Sequence, residues 1–210
     1  SGIFFKNFKI KKKNFHLKKK FKDLIKNNDQ VIQSLSKNYK DFFKKKNLKK
    51  YQSFKDLRLI GMGGSSLGTQ AIYSFLKHKV KKSFTFIDDL SSQSEINQSK
   101  KHLNLIVSKS GNTIETIINS NIYIGKKDKN IFITENKKNY LYLLGNKLKA
   151  EIIHHNNFIG GRYSVLSEVG MLPAELMGLD TIKFRQLNNL IKNKKYLNAL
   201  ISNVSTMIYF

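Results

Sequence analysis

Short apolar runs recur through residues 57–153 of this 210-residue chain, and segments of helical character lie between them. We predict strands at Leu57–Ile60, Phe84–Ile87, Leu105–Val107, Ile131–Thr134 and Glu151–Ile153, and helices over 66–79, 93–101, 113–126 and 137–148. Strands about 20–27 residues apart with helices between them are typical of βαβ units. Such units join parallel strands through right-handed crossovers. The central region is therefore predicted to be an α/β domain with a mainly parallel sheet.

Helical periodicity is present on both sides of this region. Residues 14–50 predict one or two surface helices, with a break at 27–29 and Asp29 as a candidate N-cap. The last stretch predicts one long helix. We expect an N-terminal helical extension over 1–56, the α/β domain over 57–183, and a helix over 184–210 that leads into a second domain. The chain begins without Met and stops inside an apolar-periodic stretch, so we expect it to be cut at both ends.

The charge of the chain is strongly positive, with 39 Lys and Arg residues against 14 Asp and Glu and a formal net charge of +25. Such an excess is typical of proteins with a polyanionic partner or an anionic membrane surface. Only Arg58, Arg162 and Arg185 are arginines, whereas nucleic-acid binders use arginine forks to read phosphates and guanines. We therefore interpret the excess of lysine as compositional background and expect no specific nucleic-acid partner. A functional basic surface is the alternative interpretation.

Composition excludes several other classes. No apolar run approaches the roughly 18 residues of a membrane span. The absence of Cys excludes a disulfide scaffold, a thiolate nucleophile and Cys-ligated zinc, and the five His residues show no metal-ligand spacing. The N-terminus has no signal-peptide pattern. We expect a cytoplasmic protein with no membrane partner and no metal site.

The first candidate site is Gly61-Met62-Gly63-Gly64-Ser65-Ser66-Leu67-Gly68, directly after the first predicted strand. Glycines at a strand-to-helix turn let the backbone approach a ligand, and the helix N-terminus offers free N–H groups to an anion. A dinucleotide fingerprint needs Gly where Ser66 stands, and a Walker A loop needs Lys where Thr69 stands. The motif predicts an anion cradle, with a tight structural turn as the alternative.

The second candidate site is Ser108-Lys109-Ser110-Gly111-Asn112-Thr113-Ile114-Glu115-Thr116, after the third predicted strand. Hydroxyls and an ammonium just before a helix have the composition of a phosphate-monoester site. Both candidate sites lie at the carboxyl edge of the predicted sheet, where open α/β folds bind ligands. The alternative for the second motif is a turn and N-cap without a ligand.

The third candidate site surrounds Arg162, in Phe158-Ile159-Gly160-Gly161-Arg162-Tyr163-Ser164-Val165-Leu166-Ser167. Arg162 is the only lysine or arginine between Glu151 and Ile182. An arginine in a chain otherwise rich in lysine indicates a fork geometry that lysine cannot supply. An ordinary salt bridge to Glu168 is the alternative.

Together the three motifs resemble the glucose-6-phosphate isomerase family. Gly61–Gly68 resembles its first glycine-rich loop, Ser108–Thr116 its phosphate loop, and Gly160–Pro173 its Gly-Gly-Arg-Phe-Ser signature. Ser110 stands where the family commonly has Thr, Gly111-Asn112 is similar to the phosphoglucose/phosphomannose isomerases, and Glu168 replaces a small or apolar residue. The resemblance implies a sugar-isomerase (SIS) type three-layer sandwich that isomerises glucose 6-phosphate and fructose 6-phosphate through a cis-enediolate, in glycolysis and gluconeogenesis.

The resemblance also implies roles for individual residues. The phosphate would be held by Ser108, Lys109, Ser110 and Thr113, and the sugar pocket would be lined by Gly64, Ser65 and Gly161. Arg162 would stabilise the enediolate, and Glu115 would orient a catalytic His. The partners implied are a hexose 6-phosphate and a second copy in a homodimer, with no cofactor.

The family's catalytic Glu lies in a Gly-Gln-His block, and its His and Lys follow later. This chain contains no such block. We therefore expect an N-terminal fragment that binds hexose 6-phosphates weakly and is inactive alone. Alternatives are a phosphosugar-binding SIS module of a regulator, a phosphoglucose/phosphomannose isomerase and, on charge alone, a nucleic-acid-binding protein.

Overall fold

The apolar runs of the central region form one five-stranded sheet. The computed structural model describes residues 15–27, 29–90, 101–186 and 191–208. The strands are β1 (Asp56–Ile60), β2 (Ser83–Ile87), β3 (Leu103–Val107), β4 (Lys129–Thr134) and β5 (Glu151–His154). All neighbouring pairs are parallel, in the order β2-β1-β3-β4-β5. The predicted strands and the α/β class are confirmed. They could be predicted because strands buried on both faces of a parallel sheet are near-continuous apolar runs.

Eight α-helices are described. They are α1 (Phe15–Lys26), α2 (Gln30–Ser34), α3 (Lys45–Leu48), α4 (Leu67–Leu76), α5 (Ile114–Tyr123), α6 (Tyr140–Lys147), α7 (Glu168–Leu176) and α8 (Lys194–Ile208). Short 3-10 helices include Gly63–Ser65 and Gly161–Leu166. The helix predicted over 93–101 falls almost entirely on residues 91–100, which lie outside the described ranges.

The sheet is covered by helices in a way that follows from its strand order. On one face, Ile60, Ile106 and Phe132 form a buried cluster with Tyr123 of α5 and Leu141 of α6. The connection from β1 to β2 runs in the opposite direction along the sheet, so a right-handed crossover places α4 on the other face. The result is the predicted three-layer arrangement.

The chain divides into two compact units, Lys40–Thr181 and Ser1–Tyr39 with Ile182–Phe210. In the second, the Oδ1 atom of Asp29 accepts hydrogen bonds from the N–H groups of Val31 and Ile32 at 2.8 and 3.3 Å. The predicted N-cap at Asp29 is therefore confirmed. In the described part of the chain, no helix is long and apolar enough to cross a membrane.

The prediction of one continuous helix over 184–210 is wrong. A 3-10 helix covers Thr181–Arg185, and the backbone leaves helical geometry at 192–193. The Oδ1 atom of Asn193 accepts hydrogen bonds from the N–H groups of Lys195 and Tyr196 at 3.0 and 3.2 Å. Asn favours N-cap positions over helix interiors, and here the side chain of Asn193 caps the N-terminus of a separate helix, α8.

Candidate functional site

Two loops leave the carboxyl ends of β1 and β3, which are neighbours in the sheet. The chain passes from β1 to β2 on one side and then crosses back to β3 on the other, so the winding direction reverses between β1 and β3. Open α/β sheets bind ligands in the crevice at such a switch point. The loops are close, because a Cβ atom on Gly61 would lie 2.8 Å from the carbonyl oxygen of Val107. The first and second motifs therefore meet there.

The β3–α5 loop, residues 108–113, gathers three hydroxyl groups. The side chain of Ser108 is almost fully buried. Its Oγ atom lies 2.8 Å from Oγ1 of Thr113 and 3.5 Å from Oγ of Ser110. The N–H group of Gly111 donates to the same Oγ atom at 3.2 Å. The structure thus brings together the three hydroxyls that the sequence singled out.

Backbone donors accompany these hydroxyls. Thr113 occupies the N-cap position of α5, and its side chain makes no capping hydrogen bond. The N–H groups of Lys109 and Ser110 have no hydrogen-bond partner among the described residues. The first turn of α5 also carries the positive end of the helix dipole. The loop therefore offers hydroxyl and N–H donors that suit an anion.

The loop after β1 packs directly on the Arg162 segment. A Cβ atom on Gly64 would overlap the backbone carbonyl of Gly161, so the two glycines meet without side chains between them. The hydroxyl of Ser164 bridges the two segments and lies 2.8 Å from the carbonyl oxygen of Gly161 and 3.2 Å from that of Gly64. Ser65 is half-buried in the 3-10 helix beside this contact. The structure brings the first and third motifs together.

Arg162 is exposed on the 3-10 helix that follows Gly160. Its guanidinium makes no hydrogen bond or ion pair with any described residue. The alternative of a salt bridge to Glu168 is therefore wrong: Glu168 is fully buried, and its Oε1 accepts from the N–H group of Phe42 at 3.2 Å. Arg162 remains available for an anionic group.

Lys109 and Glu115 are placed differently from the three hydroxyls. The Nζ atom of Lys109 donates to the carbonyl oxygen of Asn157 at 2.7 Å and lies 3.7 Å from Oε1 of Glu135. It makes no hydrogen bond to the loop hydroxyls. Glu115 is half-buried in the first turn of α5, and its carboxylate has no hydrogen-bond partner among the described residues.

Sequence reasoning missed two residues at this edge of the sheet. Asn139 caps α6 by accepting from the N–H group of Tyr142 at 2.9 Å and donates to Oγ1 of Thr134 at 3.1 Å. The carboxylate of Glu135 accepts from the Lys137 ammonium, and this hydrogen bond chiefly lowers the pKa of Glu135. Glu135 directly follows β4, so the rule that identified the other loops could have identified it.

Two neutral histidines lie at the end of β5. Burial lowers the pKa of both His154 and His155. The Nδ1 atom of His154 accepts from the N–H group of Asn136 at 3.1 Å, which requires an unprotonated nitrogen. The charge of Lys109 further lowers the pKa of His155. These rings therefore add no positive charge beside the candidate site at neutral pH.

Comparison with curated proteins identifies the family. Residues 11–205 match the model of the phosphoglucose isomerase family. The chain is 33% identical over 202 residues to glucose-6-phosphate isomerase of Methanocaldococcus jannaschii, which covers 81% of this chain and 47% of that protein. It is 30% identical over 181 residues to the enzyme of the same name from Mycoplasma genitalium, covering 73% and 42%. The chain thus spans less than half the length of these relatives.

Solved structures share the fold. A hypothetical protein of Thermus thermophilus superposes with a TM-score of 0.70 at 20% identity, covering 92% of this chain and 52% of its own. Tagatose-6-phosphate ketose/aldose isomerase of Escherichia coli superposes with a TM-score of 0.58 at 14% identity, covering 83% and 52%. The SIS-type fold is therefore confirmed. With the family model matching most of its length, the chain belongs to the phosphoglucose isomerase family.

Proposed function

We propose that this chain supplies the phosphate-binding part of a site that interconverts glucose 6-phosphate and fructose 6-phosphate. The observation that carries the proposal is the cluster of Ser108, Ser110 and Thr113 hydroxyls at the N-terminus of α5, beside the switch point. A phosphate dianion suits these donors and the N–H groups of Lys109 and Ser110. The family relationship supports a hexose 6-phosphate as the ligand.

The sugar would extend from the phosphate toward the contact between Gly64 and Gly161. Neither glycine carries a side chain that would keep a ligand away from the backbone at this contact. The guanidinium of Arg162, which has no partner among the described residues, would stand near C1 and C2 of the open-chain sugar. Ser65 would line the same pocket.

In the proposed reaction a base removes the proton from C2 of glucose 6-phosphate. The electron pair of the C–H bond forms the C1–C2 double bond, and the C1 carbonyl oxygen takes the negative charge. Arg162 stabilises that oxygen. The hydroxyl proton on O2 then passes to O1, the electron pair left on O2 forms the C2 carbonyl, and the electron pair of the C1–C2 double bond takes the proton from the base at C1, which gives the ketose. Glu115 would orient a catalytic His. The sequence contains no Gly-Gln-His block that would supply the base, so we propose that these 210 residues bind substrate without turnover.

The binding part of the proposal is tested by titrating the chain with glucose 6-phosphate and following backbone amide shifts by NMR. Ser108→Ala removes a hydroxyl from the centre of the donor cluster. We expect it to weaken binding about tenfold, since a hydrogen bond to a charged group contributes about 1.5–3 kcal/mol. Ser74→Ala, at an exposed position on α4, is the matched control. Equal affinities for the wild type and Ser108→Ala would remove the loop from the site.

The turnover part is tested with a coupled isomerase assay. The 210-residue chain is expected to give no measurable conversion, whereas a normal kcat would show that the base lies within it.

We further propose, from the family relationship, that the enzyme is a cytoplasmic homodimer. Sedimentation of the full-length protein, with a mass of two chains expected, tests the assembly.

A further inference from the structure

Lys109 links the β3–α5 loop to the segment that carries Arg162. Its backbone carbonyl accepts from the N–H group of Glu135 at 3.1 Å, so the loop residue is paired with the end of β4. Its ammonium extends to the carbonyl oxygen of Asn157, 2.7 Å away. Asn157 lies only four positions before Gly161 in the chain. One side chain therefore joins the loop that gathers the hydroxyls to the segment that positions the guanidinium.

Glu135 is placed to keep Lys109 in this position. Its side chain is nearly buried, and its Oε1 atom lies 3.7 Å from the Lys109 ammonium. Its other carboxylate oxygen accepts from Lys137. The neighbouring lysines and a low pKa keep the carboxylate charged at neutral pH. The proposed reaction uses Glu135 for no chemical step.

We propose that Glu135 is a positioning residue that acts through Lys109 to hold the segment from Asn157 to Arg162 against the phosphate-binding loop. The inference rests on the proposed function, because it assigns the phosphate to the hydroxyl and N–H donors. The Lys109 ammonium then serves as a bridge between the two halves of the site. Its loss should affect a ligand that touches both halves more than a ligand that touches the loop alone.

The test compares inorganic phosphate with fructose 6-phosphate as probes. Glu135→Gln is expected to change phosphate affinity by no more than about twofold. Glu135→Gln and Lys109→Met should both weaken fructose 6-phosphate about fivefold, the low end of coupling between two sites, and Lys109→Met should weaken phosphate by a smaller factor than fructose 6-phosphate. The double variant should lose no more than Lys109→Met alone, because Glu135 acts through Lys109. Lys109→Arg, which keeps a cation of similar reach, should restore binding of the sugar phosphate.

Lys138→Met is the matched control, since Lys138 is exposed and has no ion-pair partner among the described residues. It removes the same charge from the neighbouring loop and should leave both affinities unchanged. Equal losses of both probes in Lys109→Met would make Lys109 a direct phosphate ligand and overturn the proposal. Additive losses in the double variant would overturn the link through Lys109.

A measurement without ligand separates this proposal from the proposed function. In Glu135→Gln the backbone amide shifts of Gly160, Gly161 and Arg162 should move, while those of β1 and β2 stay fixed and report an intact fold. Binding of both probes with unmoved shifts would refute the positioning role alone. If these shifts move in Glu135→Gln but the wild-type chain binds neither probe, the proposed function alone is refuted.

Discussion

The contact between Gly64 and Gly161 is a close approach of backbone to backbone in the candidate site. A Cβ atom on Gly64 would overlap the carbon and oxygen of the Gly161 carbonyl, and backbone cannot move aside as a flexible side chain can. Gly64→Ala is therefore expected to lower the free energy of unfolding by about 1–3 kcal/mol, as overpacking does. Urea denaturation measures this change.

Gly160→Ala is the control for that prediction. Its backbone has φ −68°, which any residue adopts, and its nearest atom to an added Cβ would be a ring carbon of Tyr163 at 3.7 Å. Its stability should stay within about 0.5 kcal/mol of the wild type. A Gly64→Ala variant as stable as Gly160→Ala would show that the two loops can separate without cost.

At the residue scale, the sequence identified those site groups that lie close to one another along the chain. Ser108, Ser110 and Thr113 lie within six residues, so one loop brings their hydroxyls together whatever the rest of the chain does. Lys109 also stood out by charge, but its ammonium is directed by Glu135 and Asn157, which lie 26 and 48 positions away. Partners so distant are set by the pairing of strands, which a motif does not contain.

At the scale of elements, α7 shows why one helix escaped prediction. Nearly every residue of Glu168–Leu176 is buried, including the glutamate, so the segment has no polar stripe to reveal a helical period. Gly170 and Pro173 within it argue further against a helix. The strands were predictable for the opposite reason, because continuous apolar runs bounded by turns are their normal pattern in a parallel sheet.

Pro173 also explains a contact between α7 and α4. Proline has no N–H group, so the carbonyl of Val169, one helical turn earlier, loses its usual donor. The hydroxyl of Thr69 on α4 donates to that carbonyl instead, at 3.2 Å in a buried setting. Thr69→Val keeps the shape of the side chain and leaves the carbonyl unsatisfied. We expect a loss of about 1–3 kcal/mol in the free energy of unfolding.

Thr85→Val is the control for this prediction, since Thr85 is exposed on the edge strand β2. It makes the same chemical change where water can replace the hydroxyl, and should alter stability by less than about 0.5 kcal/mol. Thermal or urea unfolding of the two variants gives the comparison. If they unfold alike, the Thr69 hydroxyl contributes nothing to the joint between α4 and α7.

At the scale of the compact unit Lys40–Thr181, polar side chains near the amino-terminal ends of the strands connect three of them. Arg58 of β1 donates to the carbonyl of Tyr123 at 2.7 Å and lies 3.5 Å from Asp128. Asn104 of β3 donates to Asp128 at 3.0 Å and to Asn130 of β4 at 2.9 Å. Burial lowers the pKa of Arg58, and the charge of Asp128 opposes that shift. The Asp128 carboxylate is thus the common partner of Arg58 on β1 and Asn104 on β3.

This arrangement predicts that stability and ligand binding can be separated. Asp128→Asn keeps the shape of the side chain but leaves Arg58 as a buried charge without its anion, which is expected to cost about 3–5 kcal/mol of stability. The double variant Arg58→Met with Asp128→Asn should recover part of that loss, because no buried charge remains and the amide oxygen can still accept from Asn104. Asp128 precedes β4, whereas the β3–α5 loop follows β3 at the opposite edge of the sheet. Phosphate affinity, measured under conditions where each variant is folded, should therefore match the wild type. A loss of phosphate binding in the folded Asp128→Asn variant would mean that the loss of the carboxylate affects the β3–α5 loop at the other end of the strands.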